Sequence, residues 1–142
     1  MRYIVNSPEE TLSVATHFAE SLKKGDIIRL YGDIGVGKTV FVKGVASFFG
    51  SDTEVCSPTF SIMNIYSGDT DIYHFDLYRI EDEQEIYEAG LFDYIGGDGI
   101  SMIEWPDAAT YNGDRIFDVC ISKNLDISDD YREIEINEHT CN

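Results

Sequence analysis

The sequence predicts a single three-layer α/β domain over residues 1–142, built on a mixed, mainly parallel sheet with antiparallel hairpin strands. Short apolar runs alternate with helical stretches through much of the chain, the pattern of β–α–β units. A glycine-rich turn, Gly32 to Gly37, sits between an apolar run and a helical one. Two further strand-like runs are joined by Ser67-Gly68-Asp69-Thr70, a loop length that supports an antiparallel hairpin. A chain of 142 residues, 43% of them hydrophobic, can bury one core without metals or disulfides.

The elements follow in order. Met1 to Asn6 makes a first short strand. Ser7-Pro8-Glu9-Glu10 starts a helix: Ser7 caps, Pro8 fits the first helical position and Glu10 closes a capping box. Leu12, Ala15, Ala19 and Leu22 continue it at helical spacing, with Lys23 and Lys24 at its negative end and Gly25 at its C′ position. Ile27 to Tyr31 is a strand, and Lys38 to Phe49 a helix closed by Gly50. Ser61 to Tyr66 and Asp71 to Tyr78 form the hairpin; in its second arm Ile72, His74 and Asp76 share one face and Tyr73, Phe75 and Leu77 the other. Glu81 to Ala89 is an acidic helix stopped by Gly90, and Leu91 to Ile95 another helical turn. Ile100 to Ile103 is an apolar strand ending at Glu104. Arg115 to Ser122 and Tyr131 to Asn137 are the last strands, read as antiparallel additions.

Charge narrows the function. The net charge is −17, and it is uneven: residues 1–50 hold 6 basic and 5 acidic groups, the rest 4 and 22. So acidic a body disfavours a free-standing nucleic-acid binder or an anionic membrane surface, both of which draw on cationic groups. No run approaches the ~20 apolar residues of a membrane helix. Met1 to Glu10 does not read as a secretory signal. Cys56, Cys120 and Cys141 are too few and too widely spaced for a disulfide framework or zinc site, and fit reduced thiols in a cytoplasmic protein.

Gly32-Asp33-Ile34-Gly35-Val36-Gly37-Lys38-Thr39 fits G-x-x-x-x-G-K-[ST], the P-loop, after a strand and at the start of a helix as its mechanism requires. Glycines let successive N–H groups point at phosphate oxygens, and the following helix offers its positive end to the same anion. The fold expectation is therefore a P-loop NTPase domain. Asp33, Ile34, Gly35, Val36, Gly37, Lys38, Thr39 and Val40 would cradle the nucleotide, with Lys38 reaching the β- and γ-phosphates and Thr39 ligating Mg²⁺. A second acid beside the metal is expected at the end of an apolar strand, and Glu104 and Asp76 both qualify.

Five blocks recur in order: the P-loop itself, Ser57-Pro58-Thr59-Phe60, His74-Phe75-Asp76-Leu77-Tyr78-Arg79, Ala89-Gly90-Leu91 and Ile103-Glu104-Trp105-Pro106. Together, over residues 26–107, they resemble the TsaE (YjeE) family of small bacterial P-loop ATPases. The resemblance implies a role in making N6-threonylcarbamoyladenosine in tRNA, with ATP and Mg²⁺ as cofactors. It also implies action with TsaD- and TsaB-like proteins that carry the transfer chemistry, and ATP hydrolysis that depends on them. Lys38 then matches the phosphate-binding lysine, Thr39 and Glu104 the metal ligands, and Asp76 an acid that orients water or metal. Lys38, Asp76 and Glu104 form the catalytic set. Trp105 matches an aromatic beside the nucleotide, and Thr59 lies where a loop would sense the γ-phosphate. His74 and Arg79 fit structural roles equally well. After Pro106 the family marks fade, which leaves the adenine contacts and partner surface open.

Given the charge, contact with tRNA falls to the partners, and the isolated chain is expected to be a monomer. Two other readings stay open: a nucleotide-gated interaction protein with little turnover, using the acidic Glu81 to Glu88 stretch, and a GTPase-like switch. The switch is disfavoured because Ser122-Lys123-Asn124-Leu125-Asp126 misplaces the Asp of an Asn-Lys-x-Asp run. A small-molecule kinase would need an arginine-bearing lid, and Arg79, Arg115 and Arg132 do not cluster in sequence.

Overall fold

The computed structural model describes residues 1–33, 35–51, 55, 62–108, 110–113 and 115–139. Its strands are β1 (Arg2–Val5), β2 (Ile27–Tyr31), β3 (Met63–Tyr66), β4 (Ile72–Asp76), β5 (Ile100–Glu104), β6 (Ile116–Lys123) and β7 (Arg132–His139). Its helices are α1 (Pro8–Ala19), α2 (Lys38–Phe48) and α3 (Glu83–Glu88), with short 3-10 turns at Leu91–Asp93 and Pro106–Ala108. All seven strands join one sheet in the order β1-β7-β6-β2-β5-β4-β3. β2 is parallel to both β5 and β6, and β4 is parallel to β5. The pairs β1–β7, β6–β7 and β3–β4 are antiparallel. The mixed α/β fold class is as the sequence predicts. One detail differs: β6 is antiparallel to β7 but parallel to β2, because the chain runs back from the end of β5 and pairs Ile116 with Ile27 at the start of β2.

The sheet buries both faces, which is why β2 and β5 read as continuous apolar runs. One face packs Ile28, Leu30, Met102 and Val119 against Ala15, Phe41, Val42 and Val45 of α1 and α2. The other packs Ile27, Phe75, Ile103 and Ile116 against Ile86, Leu91 and Tyr111. The helices α1 and α2 meet where Gly44 faces Ala15: a Cβ on Gly44 would lie 2.6 Å from that of Ala15.

Helix α1 starts as its sequence dictates, with Ser7 Oγ accepting from Glu10 N at 3.1 Å. Glu10 reaches back to Asn6 N at 2.6 Å, one residue further than a capping box requires. The helix ends at Ala19, earlier than Lys23-Lys24-Gly25 suggests: Glu20, Ser21 and Leu22 N donate three residues back in a tightened last turn, and Lys23 N then donates to the Asp26 carboxylate at 2.8 Å. Asp26 is 1% exposed and is met by Arg115 Nε and NH2 at 3.0 and 2.5 Å. The second hairpin arm stops at Asp76, and the acidic helix begins at Glu83, capped by Asp82.

Candidate functional site at the carboxyl edge of the parallel strands

Strand β2 ends at Tyr31 and hands the chain directly to Gly32. The backbone there is tight: Gly32 has φ 145°, and a Cβ on it would lie 2.5 Å from Ile121 O and 2.8 Å from Val36 Cγ1. Only glycine allows the turn to start so close to β6. The turn leads to Gly37, which precedes the first turn of α2 and offers its N–H groups no side-chain cap.

Lys38 is 5% exposed and folds back over the loop. Its Nζ donates to Gly32 O at 2.6 Å, lies 3.9 Å from Glu104 Oε1 and sits 4.1 Å from the centroid of the Trp105 ring. Burial pushes the Lys38 ammonium below its usual range, while the Glu104, Asp76 and Asp33 carboxylates pull the other way. Glu104 ends β5, is 4% exposed, and is paired in register with Leu30 of β2 on one side and Asp76 of β4 on the other. The alternation of β4 brings His74 and Asp76 to that same side. His74 Nε2 lies 2.6 Å from Glu104 Oε2, and Asp76 Oδ1 accepts from Tyr78 N at 3.0 Å. Thr39 is partly buried one residue beyond Lys38.

Trp105 has φ 56°, an uncommon left-handed backbone for a bulky residue. That turn lays its ring between Lys38 and Tyr78, whose ring centroid is 5.0 Å away. Beyond them opens a cavity of about 310 Å³ that Leu77, Ile80 and Asp107 also line. On the opposite side of the loop a smaller cavity of about 140 Å³ lies between Ser7 and Thr11, Gly35 and Val40, and Arg132. Arg132 Nε donates to Val36 O at 2.8 Å and so ties the loop to β7.

The structure thus gathers Lys38, Asp76, Glu104 and Trp105 at one edge, with Asp33, Gly35, Val36, Gly37, Thr39 and Val40 around them. Ile34 and Thr59 lie outside the described residues. Arg79 is exposed at the rim. Sequence reasoning missed two partners. Arg132 is 96 positions from Val36 and carries no local signal. Tyr66, whose hydroxyl lies 2.9 Å from His74 Nδ1, looks like ordinary hairpin packing in sequence. Among the described residues no group of three or more His, Cys, Asp or Glu side chains could hold a metal ion, and no helix is long and apolar enough to cross a membrane.

Fold and site define a single-domain α/β protein with a lysine–carboxylate centre at the carboxyl edge of its parallel strands. The family described as Threonylcarbamoyl adenosine biosynthesis protein TsaE matches residues 5–138. The chain is 43% identical over 106 residues to the tRNA threonylcarbamoyladenosine biosynthesis protein TsaE of Rickettsia bellii, covering 73% of each chain. Its identity to the TsaE protein of Treponema pallidum is 32% over 142 residues, covering 96% of this chain and 99% of that one. The crystal structure of Bacillus subtilis YdiB superposes with a TM-score of 0.74 at 29% identity, covering 99% of this chain and 86% of that one. This chain belongs to the TsaE family.

Proposed function

We propose that the chain binds and hydrolyses ATP, with Mg²⁺, as one component of the machinery that makes threonylcarbamoyladenosine in tRNA, acting with TsaD- and TsaB-like proteins. Family membership supports the pathway. The observation that carries the chemistry is Lys38, held by Gly32 O and the Glu104 carboxylate where a phosphate chain entering the loop would meet it.

The division of labour follows from the groups present. Backbone N–H groups of the loop and the start of α2 would bind the phosphates. Lys38 would swing from Gly32 O to the β- and γ-phosphates and neutralise charge that builds there as the bond to the leaving group breaks. Thr39 and Glu104 fit Mg²⁺: a hydroxyl and a carboxylate are hard oxygen donors, and this ion commonly takes one or two protein ligands and completes its shell with phosphate oxygens and water. When bound, the ion supplies Lewis-acid stabilisation of the phosphoryl oxygens. Asp76, in register with Glu104, would orient the attacking water. The cavity beside Gly35 and Val40 would receive the base, Trp105 would stand beside the nucleotide, and turnover would be slow until the partners complete the site.

The test is ATP hydrolysis by the chain alone, then with both partners and tRNA, for wild type and Lys38→Ala. Stimulation by the partners and its loss in the variant are expected. Turnover indifferent to every partner would overturn the pathway role, and unimpaired Lys38→Ala would overturn the site. A large stimulation of partner activity by ATP binding without hydrolysis would favour the nucleotide-gated reading.

A further inference from the structure

We propose that His74, backed by Tyr66, is a positioning residue that sets the Glu104 carboxylate before any cation arrives. The inference rests on the reading of Glu104 as a cation ligand. His74 has no exposed surface, and its ring spans the gap between the hairpin and the site: Nε2 is 2.6 Å from Glu104 Oε2 and Nδ1 is 2.9 Å from the Tyr66 hydroxyl.

The Nε2 hydrogen follows from its partner. A carboxylate only accepts, so Nε2 carries a hydrogen and donates it to Oε2. On the other side of the ring the Tyr66 hydroxyl lies 2.9 Å from Nδ1 and fixes the plane of the imidazole. The consequence is a division of the Glu104 carboxylate: Oε2 is taken by the histidine, and Oε1 is turned to Lys38 and the loop. A buried glutamate with one oxygen held in this way presents the other as its freer donor to a cation. Outer partners of this kind typically set metal affinity by about 10–100-fold.

Two measurements on the full chain test this. The first is ¹⁵N NMR of the His74 ring without nucleotide or metal, where a hydrogen on Nε2 is expected; a bare Nε2 overturns the proposal. The second is the Mg²⁺ concentration that half-saturates the magnesium-dependent part of ATP binding, in variants whose folding is checked by circular dichroism. His74→Leu should raise that concentration about tenfold or more while leaving ATP binding in EDTA unchanged. His74→Gln, whose amide can donate from near the Nε2 position, should restore most of the loss. Tyr66→Phe keeps the aromatic packing, so it serves if His74→Leu does not fold, and should show a smaller rise in the same direction. Folded His74→Leu or Tyr66→Phe with the wild-type Mg²⁺ requirement overturns the inference alone. Wild-type ATP binding that ignores Mg²⁺ overturns the parent reading, and this inference with it.

Discussion

Gly44→Ala tests the packing that holds α2, the helix after the glycine-rich turn, in place. The new Cβ would lie 2.6 Å from Ala15 Cβ and 3.0 Å from Leu12 O. Carbon atoms prefer separations of about 3.5–4.0 Å, so the helices must part by ~1 Å. Neither neighbour is a flexible tip: one is a methyl fixed to α1 and the other its backbone. Over-packing of this kind costs about 1–3 kcal/mol. Against it stands the gain of about 1 kcal/mol from replacing a helical glycine by alanine. Because both neighbours are rigid the steric term lies in the upper half of its range, about 2–3 kcal/mol, for a net loss of about 1–2 kcal/mol, or a fall of ~3–7 °C in Tm for a domain of this size. Thermal unfolding followed by circular dichroism reads it. Adding Ala15→Gly removes the nearer clash and exchanges the two propensities, so the double variant should recover about 1 kcal/mol as a favourable coupling. A Gly44→Ala Tm equal to or above wild type, or strictly additive variants, would refute the close approach of α1 and α2.

Three other outcomes are expected. Arg115→Ala strips the nearly inaccessible Asp26 carboxylate of its two-pronged partner and should cost about 3 kcal/mol in urea unfolding; a loss below about 1 kcal/mol would show the pair to be dispensable. Burial holds the Tyr111 phenol well above the ordinary tyrosine range, and its hydroxyl donates to Pro106 O at 3.0 Å. Its contribution is therefore complete below about pH 10 and declines above it by about 1.4 kcal/mol per pH unit, as only the unfolded phenol ionises. Tyr111→Phe should lose about 1 kcal/mol at neutral pH yet unfold with a shallower alkaline slope, and an unchanged slope would contradict the assignment. Trp105 is the only tryptophan, with the Lys38 ammonium 4.1 Å above its ring, so ATP that draws Lys38 away should change its emission. Lys38→Met should alter the free-state spectrum and abolish that response; constant emission through a calorimetrically verified binding titration would separate Trp105 from the phosphate site.

What could be read from sequence divides along physical lines. Local rules found Ser7 as the α1 cap, the hairpin around Gly68, and the alternation that separates His74 from Phe75, because each depends on neighbours a few positions away. The glycine-rich turn between β2 and α2, and the end of the apolar strand where Glu104 comes to lie 3.9 Å from Lys38, were legible because the motif joins a strand, a turn and a helix at fixed spacing. The end of α1 was not, since the chain beyond it is held by Asp26, whose partner Arg115 lies 89 positions on. The direction of β6 was equally hidden: nothing in Arg115 to Ser122 says which neighbour it will choose. Tyr66 and Arg132 escaped for the same reason, one acting through a histidine and the other through a backbone oxygen of the loop.

The sheet order has a kinetic consequence. β2 lies between β6 and β5, and β5 between β2 and β4, so the two strands that end at the site are paired on both sides and covered on both faces, while β1 and β3 are edges. Amide hydrogens within β2 and β5 should therefore exchange with solvent only when the whole molecule opens, and those of β1 and β3 through smaller, more frequent openings. Loss of the site on heating would then coincide with global unfolding rather than precede it, while the edges fray at temperatures where Lys38 and Glu104 are still in register.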